Sequence, residues 1–169
     1  MNSSLLNYNH KGRHLLHWIN STDSYLWSTG SAEVHLDVER ETGRLPVAVW
    51  CSFGSHSKAR ELAMIDTGAH WTLIGSELSE ILGDELGTEL ESISMSTRLG
   101  KFHGTLHRLS IQLIADTGKD YTVDGTCLAL PDWYGPSILG FNGFLERIRF
   151  AFEPATNTSP KARLHFGGV

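Results

Sequence analysis

The sequence lacks several features that would assign it to a familiar class of protein. It has no apolar run of about 18 residues, the length a membrane-spanning helix needs, so no membrane association is expected. Acidic residues outnumber basic ones, 19 to 14, and the net charge of -5 argues against nucleic acid as the main partner. Residues 1–8 lack the charged-then-apolar pattern of a signal peptide.

Cysteine is equally scarce. The two present, Cys51 and Cys127, lie in strand-like runs and are expected to be buried free thiols rather than a disulfide or a metal site. Together with the missing signal pattern, this favours a cytoplasmic location.

No Gly-x-Ser-x-Gly elbow or phosphate-binding glycine loop occurs, and neither cysteine has a local catalytic signature. Composition leaves Ser/His/Asp and Cys/His catalysis open, since nine histidines are present.

What the sequence does contain is a series of short strand-like segments separated by turn residues. Val34, Leu36 and Val38 alternate with polar residues, and comparable segments recur as far as residue 152. Apolar residues at helical spacing predict one short amphipathic helix over residues 76–86. Many strands and little helix predict an all-β, mainly β, barrel-like domain.

At 169 residues the chain is expected to form one domain. We predict an N-terminal arm over residues 1–32, a body over residues 33–153 and a tail over residues 154–169 that ends in an edge strand. Ser76 is the expected N-cap of the helix, and Asn142 that of a later helical turn.

Three histidines of the arm are spaced so that a helix would align them. His10, His14 and His17 fall at i, i+4 and i+7, which would place them on one helical face. A metal site is one interpretation. A polar face on an irregular arm is favoured, because no cysteine or carboxylate completes a ligand set.

The most informative stretch is Ala63-Met64-Ile65-Asp66-Thr67-Gly68-Ala69. An apolar run that ends in a turn signal predicts a buried strand followed by a bend. Asp66 is therefore expected at the rim of a core, partly removed from water. Gly68 permits a tight turn, and the hydroxyl of Thr67 can bond to neighbouring backbone.

The same tripeptide occurs a second time, at Asp116-Thr117-Gly118. Here the glycine is followed by Lys119 and Asp120 before the next apolar run begins. Such a polar cluster between two strand-like segments is typical of a hairpin connection. We therefore predict a solvated turn for the second copy.

Two motifs of the chain resemble those of the aspartic proteases. Ile65-Asp66-Thr67-Gly68-Ala69 is similar to the catalytic signature of the retroviral-type (retropepsin) branch, which favours Ala after the Gly. Ser137-Ile138-Leu139-Gly140-Phe141-Asn142 resembles the apolar-apolar-Gly element that passes beside the catalytic loop in that family. The resemblance covers about residues 33–153 and implies a retropepsin-like closed β-barrel with one or two short helices, one lobe per chain.

The resemblance implies an aspartic endopeptidase that acts on a polypeptide substrate without cofactor or metal. A pair of Asp66 carboxylates, one from each subunit of a homodimer, would activate the water. Asp66, Thr67 and Gly68 would form the catalytic loop. The bend Gly100-Lys101-Phe102-His103-Gly104, between strands at residues 90–99 and 105–115, would be the tip of a mobile flap. Substrate-binding residues would be Ala69, Phe102, His103 and Ile138.

Two positions depart from the family pattern. His70 stands where retroviral enzymes commonly have Asp, and Phe141 stands where they commonly have Arg. In the family, those two charged residues belong to a charge network near the dimer contact. Both are missing here, so no charge is left unpaired. The retroviral style of dimer is thereby in doubt, and the N-terminal arm or exchanged terminal strands are alternative dimer contacts.

Two other classes of function remain open. One is a non-catalytic module of retropepsin fold that binds an extended peptide or another protein. The other is an unrelated β-barrel, such as a small-ligand binder, in which Asp66 is an ordinary turn residue. The intact Asp66 motif favours the protease over both.

Overall fold

A computed structural model describes residues 6–9, 13–17, 24–34, 47–55, 59–97, 100–157 and 160–168. Over these residues the N-terminal strands are β1 (Leu6–Asn9), β2 (Arg13–His17), β3 (Ser24–Val34), β4 (Val47–Phe53), β5 (Arg60–Ile65) and β6 (Thr72–Gly75). The helix α1 (Ser76–Leu82) runs into a 3-10 turn (Gly83–Leu86). A second 3-10 turn (Leu145–Arg147) lies among the later strands, which are β7 (Glu89–Thr97), β8 (Gly100–Leu113), β9 (Tyr121–Leu130), β10 (Ile138–Leu139), β11 (Ile148–Glu153) and β12 (Ala162–Gly168).

Six strands close into a barrel. They follow one another in the order β4-β5-β10-β6-β9-β8, and β8 pairs back onto β4 through Cys51 opposite Leu113. The part of the chain that the structure describes is mostly strand with little helix, so the prediction of an all-β barrel with a short helix is confirmed. Within the described residues no helix has the length and apolar character needed to cross a membrane.

The parallel pair β6 and β9 is buried on both faces. Thr72 is paired with Cys127, Leu73 with Leu128 and Ile74 with Ala129. All six of these residues are buried, and each Leu or Ile so buried stabilises the fold by about 1.5–3 kcal/mol. Cys51 and Cys127 are both buried and free, as predicted.

Helix α1 covers one end of the barrel with Leu78 and Leu82. The prediction of Ser76 as its N-cap is wrong. The cap position is Gly75, and no side chain bonds to the first turn. A Cβ on Gly75 would lie 2.4 Å from the carbonyl oxygen of Trp133, so close packing of the chain fixes the residue at this position.

Another local prediction is wrong for a related reason. Asn142 does not cap the later helical turn. That turn is preceded by Phe144, and the Asn142 side chain bonds to His70 instead. Here too, a contact distant in sequence overrides the local signal.

The N-terminal strands extend the barrel sheet outwards. The first residues of β3 pair with β2, while its later residues pair with β12 and with β4. Strand pairing therefore crosses the boundary predicted at residue 33. The tail strand β12 lies between β11 and β3, so the prediction of an edge strand is wrong.

His14 and His17 of the arm lie in strand β2, not in the helix that would align the three histidines. His10, Leu36 and Val38 lie outside the described residues.

The hairpin β7–β8 is present, but its bend is not where it was predicted. Thr97 pairs with Gly100, so the strands connect through residues 98 and 99, and Gly100–Gly104 already belong to β8. Gly104 meets a packing requirement rather than a need to flex, because a Cβ there would lie 2.2 Å from the carbonyl oxygen of Ala129.

Candidate functional site

The Asp66 loop begins where β5 leaves the barrel and is fastened to β10 by backbone hydrogen bonds. The N–H of Met64 donates to Ser137 at 2.8 Å, and the N–H of Asp66 donates to Leu139 at 3.1 Å. The N–H of Ala69 then donates to the carbonyl oxygen of Asp66 at 3.1 Å, which closes a tight turn. The loop is thus held at both ends by the barrel.

Strand β10 threads between the two strands that flank this loop. It runs parallel to β5 and antiparallel to β6, with Ile138 between Met64 and Leu73. At the next position a Cβ on Gly140 would lie 2.2 Å from the carbonyl atoms of Trp71, so only glycine fits. The Gly140 N–H donates to the buried hydroxyl of Thr72 at 3.2 Å.

The carboxylate of Asp66 points away from this support. Asp66, Thr67 and Gly68 are all exposed, so the expected partial burial of Asp66 is wrong for the single chain. One oxygen, Oδ1, accepts the N–H of Gly68 at 2.8 Å. Within the described residues no hydrogen bond reaches the other oxygen. A carboxylate fixed by one oxygen and open at the other can take a proton from a bound molecule.

The two positions that depart from the protease pattern are joined in one hydrogen-bonded unit. The amide of Asn142 donates to Nε2 of His70 at 2.9 Å. The N–H groups of Phe141 and Asn142 donate to the carbonyl oxygens of Ala69 and His70 at 2.8 and 2.9 Å. The missing charge network is thus replaced by neutral hydrogen bonds on the same side of the loop.

An apolar cluster lies between the Asp66 loop and the hairpin. Ala69 and Ile138 belong to it, as does Phe102, whose ring meets that of Trp133 edge-on with centroids 5.7 Å apart. The remaining members are Met64, Trp71, Leu73, Ile93, Met95, Leu106, Leu128 and Leu130. The structure therefore brings together three of the four residues predicted to bind substrate.

The fourth, His103, lies elsewhere. It is exposed, and its Nδ1 lies 2.7 Å from the hydroxyl of Ser94 on β7. Successive residues of a strand point to opposite faces, so His103 and Phe102 cannot both face the cluster. The bend expected at residues 100–104 would have allowed both to reach one ligand, and the observed strand does not.

Ile93 and Met95 are site residues that the sequence reasoning did not single out. They lie on β7, one strand of the hairpin, and pack against the same cluster as Phe102. The signal was present, because Ile93 and Met95 alternate with the exposed Ser92, Ser94 and Ser96.

A groove on the described surface lies away from the Asp66 loop. It has a volume of about 350 Å³ and runs between the start of β5, the start of α1 and the loop from Trp133 to Ser137. Glu61 lies in it half-buried, and its Oε1 has no hydrogen-bond partner. Burial raises the pKa of Glu61, the bond with Ser137 lowers it, and the charge of Glu77 raises it.

The two cysteines and a Thr-His-Glu row are other candidate nucleophile arrangements, and the nucleophile of each is buried. Burial raises the pKa of Cys127 to about 12 and that of Cys51 further, so both thiols stay protonated and unreactive. Thr29, His165 and Glu153 form a hydrogen-bonded row with distances of 3.1 and 3.0 Å. Thr29 and His165 are buried between β3 and β12, so this row joins strands rather than meeting a substrate.

Within the described residues, no three or more His, Cys, Asp and Glu side chains are grouped so that they could share a metal ion. No model of a known protein family matches the chain, and no curated protein matches it.

Proposed function

We propose that the protein is an aspartic endopeptidase of the retropepsin type, active as a homodimer, with Asp66 of each copy in one shared site. The observation that carries this proposal is the support of Asp66. Its loop is clamped between β5, β6 and β10, while the carboxylate is exposed with one oxygen unengaged. A plain turn residue does not require such a framework.

Peptide hydrolysis without a metal or a covalent intermediate needs two coordinated proton transfers. One carboxylate takes a proton from the attacking water, while a protonated carboxyl donates to the carbonyl oxygen of the scissile bond. Two carboxyl groups in contact share one proton, because both cannot easily be ionised at that distance. The pair then titrates as a unit with two macroscopic pKa values.

A second copy supplies the second carboxylate most simply. The only other Asp-Thr-Gly copy has Asp116 in a surface connection on another part of the barrel. A two-fold axis beside the loop would place Asp66 of one copy against Asp66 of the other. Gly68 lacks a Cβ and would allow the two loops to approach.

The hairpin provides the expected lid. Residues 100–104 of β8 extend past the end of β9 and pair with β7 alone. The Phe102–Trp133 contact rests this overhang on the apolar cluster beside Ala69. A substrate that enters between the hairpin and the Asp66 loop would displace this aromatic contact and meet Ala69 and Phe102 directly.

Digestion of a diverse peptide mixture tests the proposal. We expect cleavage by the wild type and none by Asp66→Asn across about pH 4 to 7, the range in which a carboxyl pair of raised pKa titrates. The cleaved sites would also give the side-chain preference. Equal cleavage by both proteins would refute the assignment of Asp66.

A non-catalytic peptide-binding module is the second candidate, and the edge of the sheet favours it. Strand β7 pairs only with β8 among the described strands, so its other backbone edge is open to an added strand. Binding of peptides by a protein that cleaves none of them would select this candidate.

A further inference from the structure

Among the described residues, four large apolar side chains are strongly exposed. The exposed fraction is 52% for Ile81, 52% for Leu90, 87% for Tyr134 and 50% for Phe141. Single exposed apolar residues are ordinary on protein surfaces, so exposure alone assigns nothing. Phe141 differs from the others in what surrounds it.

Phe141 is fastened to the Asp66 loop through its backbone. Its N–H donates to Ala69 at 2.8 Å, and the following residue, Asn142, donates to His70 at 2.9 Å. The exposed residues on this side of the loop form one surface, which we name the Asp66 rim: Asp66, Thr67, Gly68, His70 and Phe141.

The Asp66 rim also differs in charge. With histidine neutral, Asp66 is the only charged residue among these five. The exposed Glu146, whose N–H donates to the carbonyl oxygen of Phe141, has the opposite charge of Arg147 4.0 Å away. In contrast, Ile81 follows Glu80, and Leu90 lies between Glu89 and Glu91. A two-fold contact sets a surface against itself, so repeated acidic residues would oppose like charges, and a nearly neutral rim avoids this repulsion.

We propose that Phe141 is the apolar anchor of the contact between two copies of this chain. The inference rests on the proposed function, because two Asp66 carboxylates that share a proton bring the two rims together. Phe141 is then covered by the second copy beside the paired loops. Aromatic residues near the centre of an interface commonly contribute most to its affinity.

Phe141→Ser tests the contact, with Ile81→Ser as a matched control of similar exposure. Sedimentation velocity over a concentration series measures the dimer dissociation constant of each variant. We expect Phe141→Ser to raise this constant by about tenfold or more and Ile81→Ser to leave it unchanged. Phe141→Leu, which keeps an apolar side chain, should lie between wild type and Phe141→Ser.

Peptide cleavage provides a second readout. The activity of Phe141→Ser should fall at low protein concentration and return to the wild-type value per dimer at high concentration. Thermal unfolding below the dissociation constant should match the wild type, because Phe141 is half exposed in the single chain. If Phe141→Ser unfolds at a lower temperature than the wild type, the comparison of dissociation constants is made with Phe141→Leu instead.

The outcomes separate the two proposals. Equal dissociation constants for Phe141→Ser and the wild type, or a wild type that stays monomeric at all concentrations, would overturn the Phe141 contact. A wild-type dimer that weakens on Phe141→Ser but cleaves no peptide would overturn the protease and leave the contact in place.

Discussion

The two Asp-Thr-Gly copies of this chain have the same three residues and different surroundings. In the first, the loop is held by barrel strands, and among the described residues the Asp66 carboxylate accepts only the N–H of Gly68, from its own loop. In the second, the carboxylate of Asp116 accepts the hydroxyl of Ser31 on β3. The first aspartate is supported by its surroundings, whereas the second helps to support them.

The backbone makes the same distinction. The N–H groups of Asp116 and Thr117 both donate to the carbonyl oxygen of Thr29, at 2.7 and 3.0 Å. Gly118 has φ of 102° and packs against Ser28. The second copy is a solvated connection between β8 and β9, as predicted, and it ties that connection to β3. A tripeptide motif thus gains its meaning from the strands that carry it.

The largest expected effect is on catalysis. Asp66→Asn should lower peptide cleavage by about 10³-fold or more, since it removes the acid–base group. Asp116→Asn should leave the rate near the wild-type value. Initial rates on one cleaved peptide compare the two variants, and a comparable loss in both would erase the distinction between the copies.

The next largest effect concerns the glycines that support each copy. Gly140→Ala drives a Cβ into the backbone of Trp71, and we expect a loss of unfolding free energy of about 3 kcal/mol or more. Gly118→Ala places a Cβ against the hydroxyl and the Cα of Ser28 at positive φ and should cost about 1–3 kcal/mol. Urea unfolding at neutral pH measures both. An unchanged midpoint in Gly140→Ala would show that β10 does not thread the loop as described.

A smaller effect separates the two threonines. Thr72→Val removes the buried acceptor of the Gly140 N–H and should cost about 1–3 kcal/mol. Thr117 is exposed, so Thr117→Val should change stability by less than about 0.5 kcal/mol. Urea unfolding measures both variants, and an equal loss of unfolding free energy in the two would contradict the difference in burial.

The smallest expected effect lies at the far end of β5, at Glu61. Its pKa is raised in the folded state, chiefly by burial, so the fold favours the protonated form. The stability that this group contributes is present below the ordinary carboxyl pKa of about 4.3 and is lost as pH rises through the folded-state pKa. Glu61→Gln should be more stable than wild type at about pH 7, and the difference should shrink towards about pH 4.

Urea midpoints of the wild type and Glu61→Gln across this range measure the effect. Parallel curves, with a constant difference at every pH, would contradict the raised pKa of Glu61.

The sequence was sufficient for those features that local pattern determines. Alternation located the strands, and the residues after each glycine distinguished the two Asp-Thr-Gly copies. Gly68 is followed by a small residue and a new apolar segment, whereas Gly118 is followed by Lys119 and Asp120. The features that sequence reasoning missed depend on distant neighbours. Gly104 was predicted to be part of a flexible flap tip. Its real constraint is the carbonyl oxygen of Ala129, which leaves no room for a side chain and lies on another strand, so the local sequence does not reveal it. The bond between His70 and Asn142 joins residues 72 positions apart, beyond any local pattern.

The central claim is that the two Asp66 carboxylates of one site come from two chains. Mixing wild type with Asp66→Asn at constant total concentration, after subunit exchange, tests it most directly. If one site needs both carboxylates, an equal mixture should retain about one quarter of the wild-type activity, because random pairing makes one dimer in four fully wild type. Retention of about one half, in proportion to the wild-type chains, would show that each chain acts alone and would contradict the account.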